Sequence, residues 1–106
     1  MPKYLIRGSY SIDGIKGVLK EGGTGRRTAV ESAVKALGGK LEVFYFTFGE
    51  EDVVAIVEGP DNVTAAAFSM GVAATGTVRT TTTVILTPEE IDQAAKKTLS
   101  FRAAGH

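Results

Sequence analysis

Two arginines lie within segments whose residue pattern is typical of β-strands. Arg7 is at the middle of KYLIRGSY, residues 3–10, and Arg79 is near the start of TVRTTTTVILT, residues 77–87. A charge in the middle of a strand is costly when it is buried without a partner, whereas a guanidinium group among hydroxyl groups suits a carboxylate or a phosphate. This pattern predicts a site for a small anionic or polar molecule. Its predicted residues are Arg7, Ser9, Tyr45 and Arg79.

Two points about this predicted site stay open in the sequence. Alternation along a strand does not by itself decide whether Tyr45 faces the same side of the sheet as Arg7. Arg7 could also form a salt bridge with a glutamate of another subunit, such as Glu42 or Glu58, and that is the simpler explanation of its position.

Three adjacent carboxylates form a second candidate group. Glu50, Glu51 and Asp52 follow Gly49 in a polar turn and could supply a general base or ligands for a hard cation. Adjacent residues in a tight turn do not all point at one ion, so a solvated turn is the favoured interpretation. Asp52 is expected to have a structural role by accepting hydrogen bonds from the backbone of the turn.

A glycine-rich stretch, GVLKEGGTG, begins at Gly17. It has the glycine spacing of a phosphate-binding loop, but Gly23 stands where lysine is required and no strand directly precedes it, so we exclude a nucleotide-binding P-loop. The backbone N–H groups of residues 23–26 could still hold an anion beside Arg26 and Arg27. A flexible connection with solvated arginines is the favoured interpretation.

Neither a metal nor a cofactor is predicted. The chain has no cysteine, and its one histidine, His106, is the last residue. Zinc sites draw several ligands from cysteine and histidine, and a Ser-His-Asp triad needs a histidine that the fold positions. No catalytic motif is found, so we favour a function other than catalysis.

Length and charge narrow the function classes further. The 106 residues suit one domain. The 12 basic and 12 acidic residues cancel, which gives no electrostatic reason to expect nucleic acid or a membrane as a partner. A net charge near zero also leaves little repulsion against self-association. With no long apolar segment at the N-terminus, the protein is expected in the cytoplasm.

Hydrophobic periodicity and capping residues predict four strands and three helices. The strands are predicted at residues 3–10, 40–48, 52–58 and 77–87. Residues 11–23 contain four glycines and predict only a short or irregular turn. Thr24, Asp61 and Thr87 are predicted to cap helices over residues 25–37, 61–75 and 88–98.

This order predicts an α+β fold, a ferredoxin-like βαββαβ sandwich with a C-terminal helix. The sheet is expected to be antiparallel with strand order 4-1-3-2 and with both main helices on one face. The C-terminal helix is expected to turn Ile91, Ala94 and Ala95 towards the core. Residues 1–98 are predicted to form one domain, and residues 99–106 a frayed tail.

The segments in this order resemble the GYD domain family of small bacterial and archaeal proteins. The resemblance rests on PKYLI…SY, GIKGVLKEGG, GGKLEVFYFTFGE, PDNVTAAA and TPEEIDQAAKK, and it spans about residues 2–98. The family pattern of Gly, Tyr and Asp corresponds to Gly49, Glu51 and Asp52, so that Glu51 replaces the tyrosine. The resemblance implies a ferredoxin-like fold of the dimeric α/β-barrel type and no settled activity.

The predicted second strand has apolar residues on both sides. Strict alternation places Leu41, Val43 and Tyr45 on one side and Phe44 and Phe46 on the other. Two helices can cover only one face of a four-stranded sheet, so large apolar residues remain on the other face. We therefore predict that the protein assembles with itself, as a homodimer or a higher homo-oligomer, through the open face.

Three functions remain compatible with these features. The protein could bind a small molecule at the sheet face or at a subunit interface, which is the favoured hypothesis. It could instead be a structural or regulatory oligomer without a ligand, or a cofactor-independent enzyme of the dimeric α/β-barrel type. An arginine-centred polar group on the open face favours a ligand, and acid–base catalysis would also need a carboxylate beside it.

Overall fold

The computed structural model describes all residues, Met1–His106. Its elements follow the predicted order, four strands and two main helices with a third helix at the C-terminal end. They are β1 (Lys3–Tyr10), α1 (Ile12–Ala36), β2 (Lys40–Phe46), β3 (Val53–Glu58), α2 (Asn62–Ala74), β4 (Val78–Ile85) and α3 (Pro88–Ala95).

The four strands form one antiparallel sheet in the order β2-β3-β1-β4. Counted from the other edge this is 4-1-3-2, so the predicted ferredoxin-like topology is confirmed. β1 is a central strand, because it pairs with β3 on one side and with β4 on the other. Arg7 therefore lies at the centre of the sheet, opposite Val54 on β3 and Thr81 on β4.

The hydrophobic core lies between α1, α2 and one face of the sheet. Its centre is Tyr4, which is 2% exposed and whose hydroxyl donates a 2.7 Å hydrogen bond to the side chain of Asn62. Ile6, Val34 and Val57 pack around it, and residues from both helices complete the cluster. The opposite face of the sheet has no covering element, and we call it the open face.

The first helix differs from the prediction. Residues 12–21 are helical rather than an irregular turn, because the Ser11 side chain caps them by accepting a 3.1 Å hydrogen bond from the N–H of Gly14. The chain then kinks at Gly22, whose φ of 79° and ψ of 167° are not helical. Thr24 lies inside the helix beyond the kink and does not begin it, so the predicted start at residue 25 is wrong.

A β-bulge in β2 overturns the predicted side of one residue. Pairing between β2 and β3 shifts between Leu41 and Val43, because the extra residue, Glu42, breaks the alternation of the strand. Leu41 consequently packs against the core on the helix-covered face. Val43 and Tyr45 share one side as predicted, and the structure places that side on the open face, so Leu41 does not share it.

The predicted caps of the two later helices are confirmed. The carboxylate of Asp61 accepts a 2.7 Å hydrogen bond from the N–H of Thr64 at the start of α2. Thr87 and Glu90 form a reciprocal capping box at the start of α3.

The C-terminal helix does not reach the core, contrary to the prediction. Ile91 is 51% exposed, and every residue from Pro88 to His106 is exposed to solvent. The molecule is consequently elongated. Its radius of gyration is 17.0 Å, whereas a compact chain of this length would have about 13 Å. None of the helices is both long enough and apolar enough to cross a membrane.

Candidate functional site

The open face brings the predicted site residues onto one side of the sheet. Tyr45 pairs with Val54, Val54 pairs with Arg7, and Arg7 pairs with Thr81, so these four residues form a row across all four strands. The register thus decides a point that alternation left open, since Tyr45 faces the same side as Arg7. Two strand spacings separate them, which is about 10 Å between backbones.

The two arginines are close neighbours within this face. Arg7 lies opposite Thr81, and Arg79 lies two residues before Thr81 on β4, opposite Ser9. Diagonal neighbours of this kind are about 7–8 Å apart between Cα atoms, within reach of long side chains. Both arginines are exposed, and neither forms a salt bridge. Neither guanidinium group is therefore engaged by a carboxylate of its own chain.

Ser9 belongs to this group but also has a structural role. Its hydroxyl donates a 3.2 Å hydrogen bond to the carbonyl oxygen of Glu50, in the connection between β2 and β3. The donated proton is thus engaged within the chain. Ser9 pairs with Arg79 across the two strands. Because its proton is engaged, the Ser9 hydroxyl is available there as an acceptor and not as a donor.

The glutamates that could have paired with Arg7 have another partner. Glu42 and Glu58 both bind the ammonium group of Lys3, Glu58 at 3.3 Å. The hydrogen bond to Glu42 raises the pKa of Lys3 and lowers the pKa of Glu42. These three charges lie at the opposite end of the open face from Arg79, because Lys3 pairs with Ile85. Within one chain, no carboxylate neutralises Arg7.

Apolar residues separate the two charged ends of the open face. Leu5 pairs with Ile56, and Ile56 pairs with Val43, which gives a continuous apolar row beside the row of Arg7. Val54 extends it on the side of the arginines and Ile85 on the side of Lys3. An apolar centre with polar ends is the usual composition of a protein–protein interface.

The acidic turn is held by backbone contacts and does not converge on an ion. The carboxylate of Asp52 accepts a 2.8 Å hydrogen bond from the N–H of Tyr10. Its structural role is confirmed, although its partner is the end of β1 and not the turn itself. The carbonyl of Glu51 accepts a 2.7 Å hydrogen bond from the Thr47 hydroxyl, and no group of carboxylates in the molecule has the geometry of a metal site.

The glycine-rich stretch is not the flexible connection with solvated arginines that the sequence favoured, because it is helical apart from the kink at Gly22. Gly23 lies against Phe46, where a Cβ atom would come within 3.0 Å of the ring. Arg26 is only 28% exposed, and its guanidinium group is 3.3 Å from the carboxylate of Glu21. Arg27, by contrast, is exposed and has no ion pair.

Sequence reasoning missed one polar group, on the helix-covered face. Arg26 lies beside Tyr10, at the edge of a cavity of about 70 Å³ between the helices and the sheet. Burial is the main cause that raises the pKa of Tyr10. The sequence signal for this group is the spacing of Arg26 and Val30, which are four residues apart and therefore lie on the same, inner side of α1.

Comparison with known proteins gives one match. The family model described as GYD domain matches residues 4–95 of the 106-residue chain. No curated protein and no solved structure matches the chain.

Proposed function

The chain belongs to the GYD domain family, and from that premise we propose that it is a homo-oligomer that binds a small anionic molecule on the open face of its sheet. The observation that carries the proposal is the pair Arg7 and Arg79. These are two neighbouring guanidinium groups without a carboxylate partner, on a face that no element of the same chain covers. We propose the cytoplasm as its location.

Self-association is supported by the composition of the open face. Four strands of about seven residues give a face of roughly 440 Å², at the upper range of patches that monomers expose. Each large apolar side chain that becomes buried contributes about 1.5–3 kcal/mol. The apolar row of Leu5, Ile56 and Val43 would meet its copy across a two-fold axis, which is the simplest closed arrangement.

Anion binding is supported by the charges that such an assembly would enclose. A second sheet lying on the first would remove water from Arg7 and Arg79, and unpaired charges in a dry interface are costly. A bound carboxylate or phosphate offsets that cost through charge-assisted hydrogen bonds. Thr81 and Tyr45, in the row of Arg7, offer hydroxyl groups to the same ligand.

The other two functions receive less support. A purely structural oligomer would explain the apolar row, but it would explain Arg7 only if a glutamate such as Glu42 or Glu58 of another subunit paired with it, and both glutamates already bind Lys3. An enzyme with acid–base chemistry needs a carboxylate in the site. The glutamates on this face, Glu42 and Glu58, are paired with Lys3 instead.

The proposal is tested by a thermal-shift screen with inorganic phosphate and with small mono-, di- and tricarboxylates. We expect at least one of these anions to raise the melting temperature of the wild type, since a ligand that binds only the folded state stabilises it. Arg7→Leu should abolish the shift while the variant still folds. The matched control is Arg102→Leu, which removes an arginine from the exposed C-terminal segment and should keep the shift.

Two results would contradict the proposal of an anion site on the open face. One is a wild type that no anion stabilises. The other is an Arg7→Leu variant whose melting temperature shifts as much as that of Arg102→Leu.

A further inference from the structure

The helices leave a gap over the middle of the sheet. α1 packs mainly against β2 and α2 against β4, the two edge strands, so the central strands β1 and β3 lie between them. At one end of the gap, the large side chain of Tyr4 leaves only a small cavity of about 30 Å³. At the other end Gly8, Val53 and Ala55 of the two central strands form the floor, and the cavity of about 70 Å³ lies above them.

The walls of this cavity are almost entirely apolar. Phe44 on β2, Val30 on α1 and Val72 on α2 line its sides. The aromatic ring of Phe46 stands next to it, packed edge-on against Phe44 with ring centroids 5.4 Å apart and stacked on Tyr10 at 6.5 Å. An apolar cavity of this kind excludes water and accepts hydrocarbon groups.

One edge of the cavity is polar and positively charged. Arg26 and Tyr10 line it together, and the guanidinium group lies close enough to the phenol to affect its titration. A tyrosine hydroxyl is protonated at neutral pH, and burial raises the pKa of Tyr10 further, so this hydroxyl is available as a hydrogen-bond donor. The edge therefore offers two kinds of donor, and no carboxylate lines the cavity.

We propose that this cavity binds a short aliphatic carboxylate, with its hydrocarbon end above Ala55 and its carboxylate on Arg26 and Tyr10. The charge of Arg26 selects an anion, and the apolar walls select a hydrocarbon chain. The site is on the face opposite Arg7 and lies within one chain, so it does not depend on the proposed function.

The volume of the cavity limits the length of the ligand. A cavity of about 150 Å³ holds benzene, so 70 Å³ suits a branched group of about three or four carbon atoms. Isovalerate has such a group attached to one carboxylate, and it is the probe that we choose.

Glu21 gives this site a competitor that can be removed. Its carboxylate is 3.3 Å from Arg26 and occupies the guanidinium group in the free protein. The pair is partly exposed, and exposed ion pairs contribute little to stability. A ligand carboxylate that also contacts Tyr10 can therefore displace Glu21, and removal of the Glu21 charge should favour the ligand.

The test is a titration of ¹⁵N-labelled protein with isovalerate, followed by ¹H–¹⁵N NMR. We expect saturable shifts of amides on the helix side of the cavity, those of Val30 and Val72 above all, because these residues are remote from Arg7 and Arg79. Isovaleramide has the same hydrocarbon group without the charge, and acetate has the charge without the hydrocarbon group. Both should bind at least about ten-fold more weakly, as expected for the loss of a charged hydrogen bond or of the buried apolar group.

Three variants assign the effect to Arg26. Arg26→Gln should weaken isovalerate binding about ten-fold or more, and Glu21→Gln should strengthen it about two- to five-fold. Arg27→Gln removes the adjacent arginine, which has no ion pair and does not line the cavity, and should leave the affinity unchanged. If Arg26→Gln does not fold, the opposite effect expected of Glu21→Gln still tests the site.

The outcomes separate this site from the open face. Equal affinity for isovalerate and isovaleramide, or a Glu21→Gln variant that does not bind isovalerate more tightly, overturns the proposal. Shifts confined to Arg7, Arg79 and their neighbours overturn it as well, and would leave the open-face site standing. Cavity shifts that persist in Arg7→Leu support it independently of the fate of that other site.

Discussion

Both faces of the sheet have arginines beside apolar side chains, but the arginines differ in exposure and in ion pairing. On the helix-covered face, Arg26 is largely shielded and has an ion-pair partner in Glu21. On the open face, Arg7 and Arg79 are exposed and have none. On the open face the charges at the Lys3 end are also paired within the chain, so only Arg7 and Arg79 are left without a carboxylate partner there.

This difference is the basis for proposing that the open face has a partner outside the chain. The covered face has a core centred on Tyr4, and its polar groups find partners within the molecule. The open face has an apolar row and two unpaired charges. A second copy and an anion would complete it in the same way that the helices complete the other face.

The largest expected effect is on the covered face. Tyr4→Ala should lower the free energy of unfolding by about 3–5 kcal/mol, because it removes the most buried large side chain and leaves a cavity. Urea denaturation measures this change. Tyr4→Phe is the control, since it loses only the hydrogen bond to Asn62 and should cost about 1 kcal/mol. Equal losses for the two variants would mean that the ring is not the centre of the core.

The second effect concerns the open face. Ile56→Asp should raise the dissociation constant of the oligomer about a hundred-fold or more, because each of two subunits loses about 1.5 kcal/mol or more of apolar burial. Sedimentation velocity measures it. Val63→Asp is the matched control, because Val63 on α2 is 79% exposed and lies off this face. The same dissociation constant for both variants would exclude the open face as the interface.

A third effect is the pH dependence of the cap of α2, which is a carboxylate, whereas the Thr87 hydroxyl at the start of α3 does not titrate. The hydrogen bond from the Thr64 N–H lowers the pKa of Asp61 below its ordinary value. The stability that this carboxylate contributes is present above its unfolded-state pKa of about 3.9. It is lost as the pH falls through the lower folded-state pKa.

Asp61→Asn tests this pH dependence, because asparagine caps a helix without titrating. Urea midpoints measured between about pH 5 and pH 2 should fall less steeply in the variant than in the wild type. Identical slopes would mean that Asp61 is not linked to folding in this pH range.

The smallest expected effect is at the C-terminal helix. Thr87→Ala removes one half of the capping box, a change that usually costs about 1 kcal/mol of helix stability. Because α3 is exposed throughout, the urea midpoint of the domain should not change, while the amide of Glu90 should exchange faster with solvent. A lower urea midpoint would show that α3 packs against the sheet or the main helices, either of the same chain or of a second copy.

The sequence predicted the topology because each strand carries its own signal. Aromatic and β-branched runs mark the strands, and Asp61 and Thr87 mark the starts of α2 and α3. The position of Arg7 at the centre of the sheet follows from that topology alone. Alternation along β1 places Arg7 and Ser9 on one side, whereas the side of Arg79 follows from the register between β1 and β4.

Features that depend on tertiary contacts could not be predicted in the same way. The bulge at Glu42 moves Leu41 to the core, and no residue near it signals an extra position in the strand. The Ser11 cap is a different case, because its hydrogen bond to the N–H of Gly14 is local, but the glycines of residues 12–21 outweighed that signal in the prediction. The periodicity of Ile91, Ala94 and Ala95 indicated a packed helix, but periodicity does not show whether a surface is within reach.

The cavity beside Arg26 depends on the distance between two helices, which no local pattern encodes. It arises because α1 and α2 pack against opposite edge strands and small residues lie between them. Strand patterns in the sequence therefore indicate Arg7 and Arg79, but no such pattern indicates the cavity beside Arg26.

The most direct test of the account is the mass of the wild-type protein in solution. Multi-angle light scattering at micromolar concentration should give about 22 kDa or a higher multiple of the 11.1 kDa chain, because the open face is expected to bind a second copy. A single species of 11.1 kDa would contradict the account, since the apolar row and the two arginines would then face water.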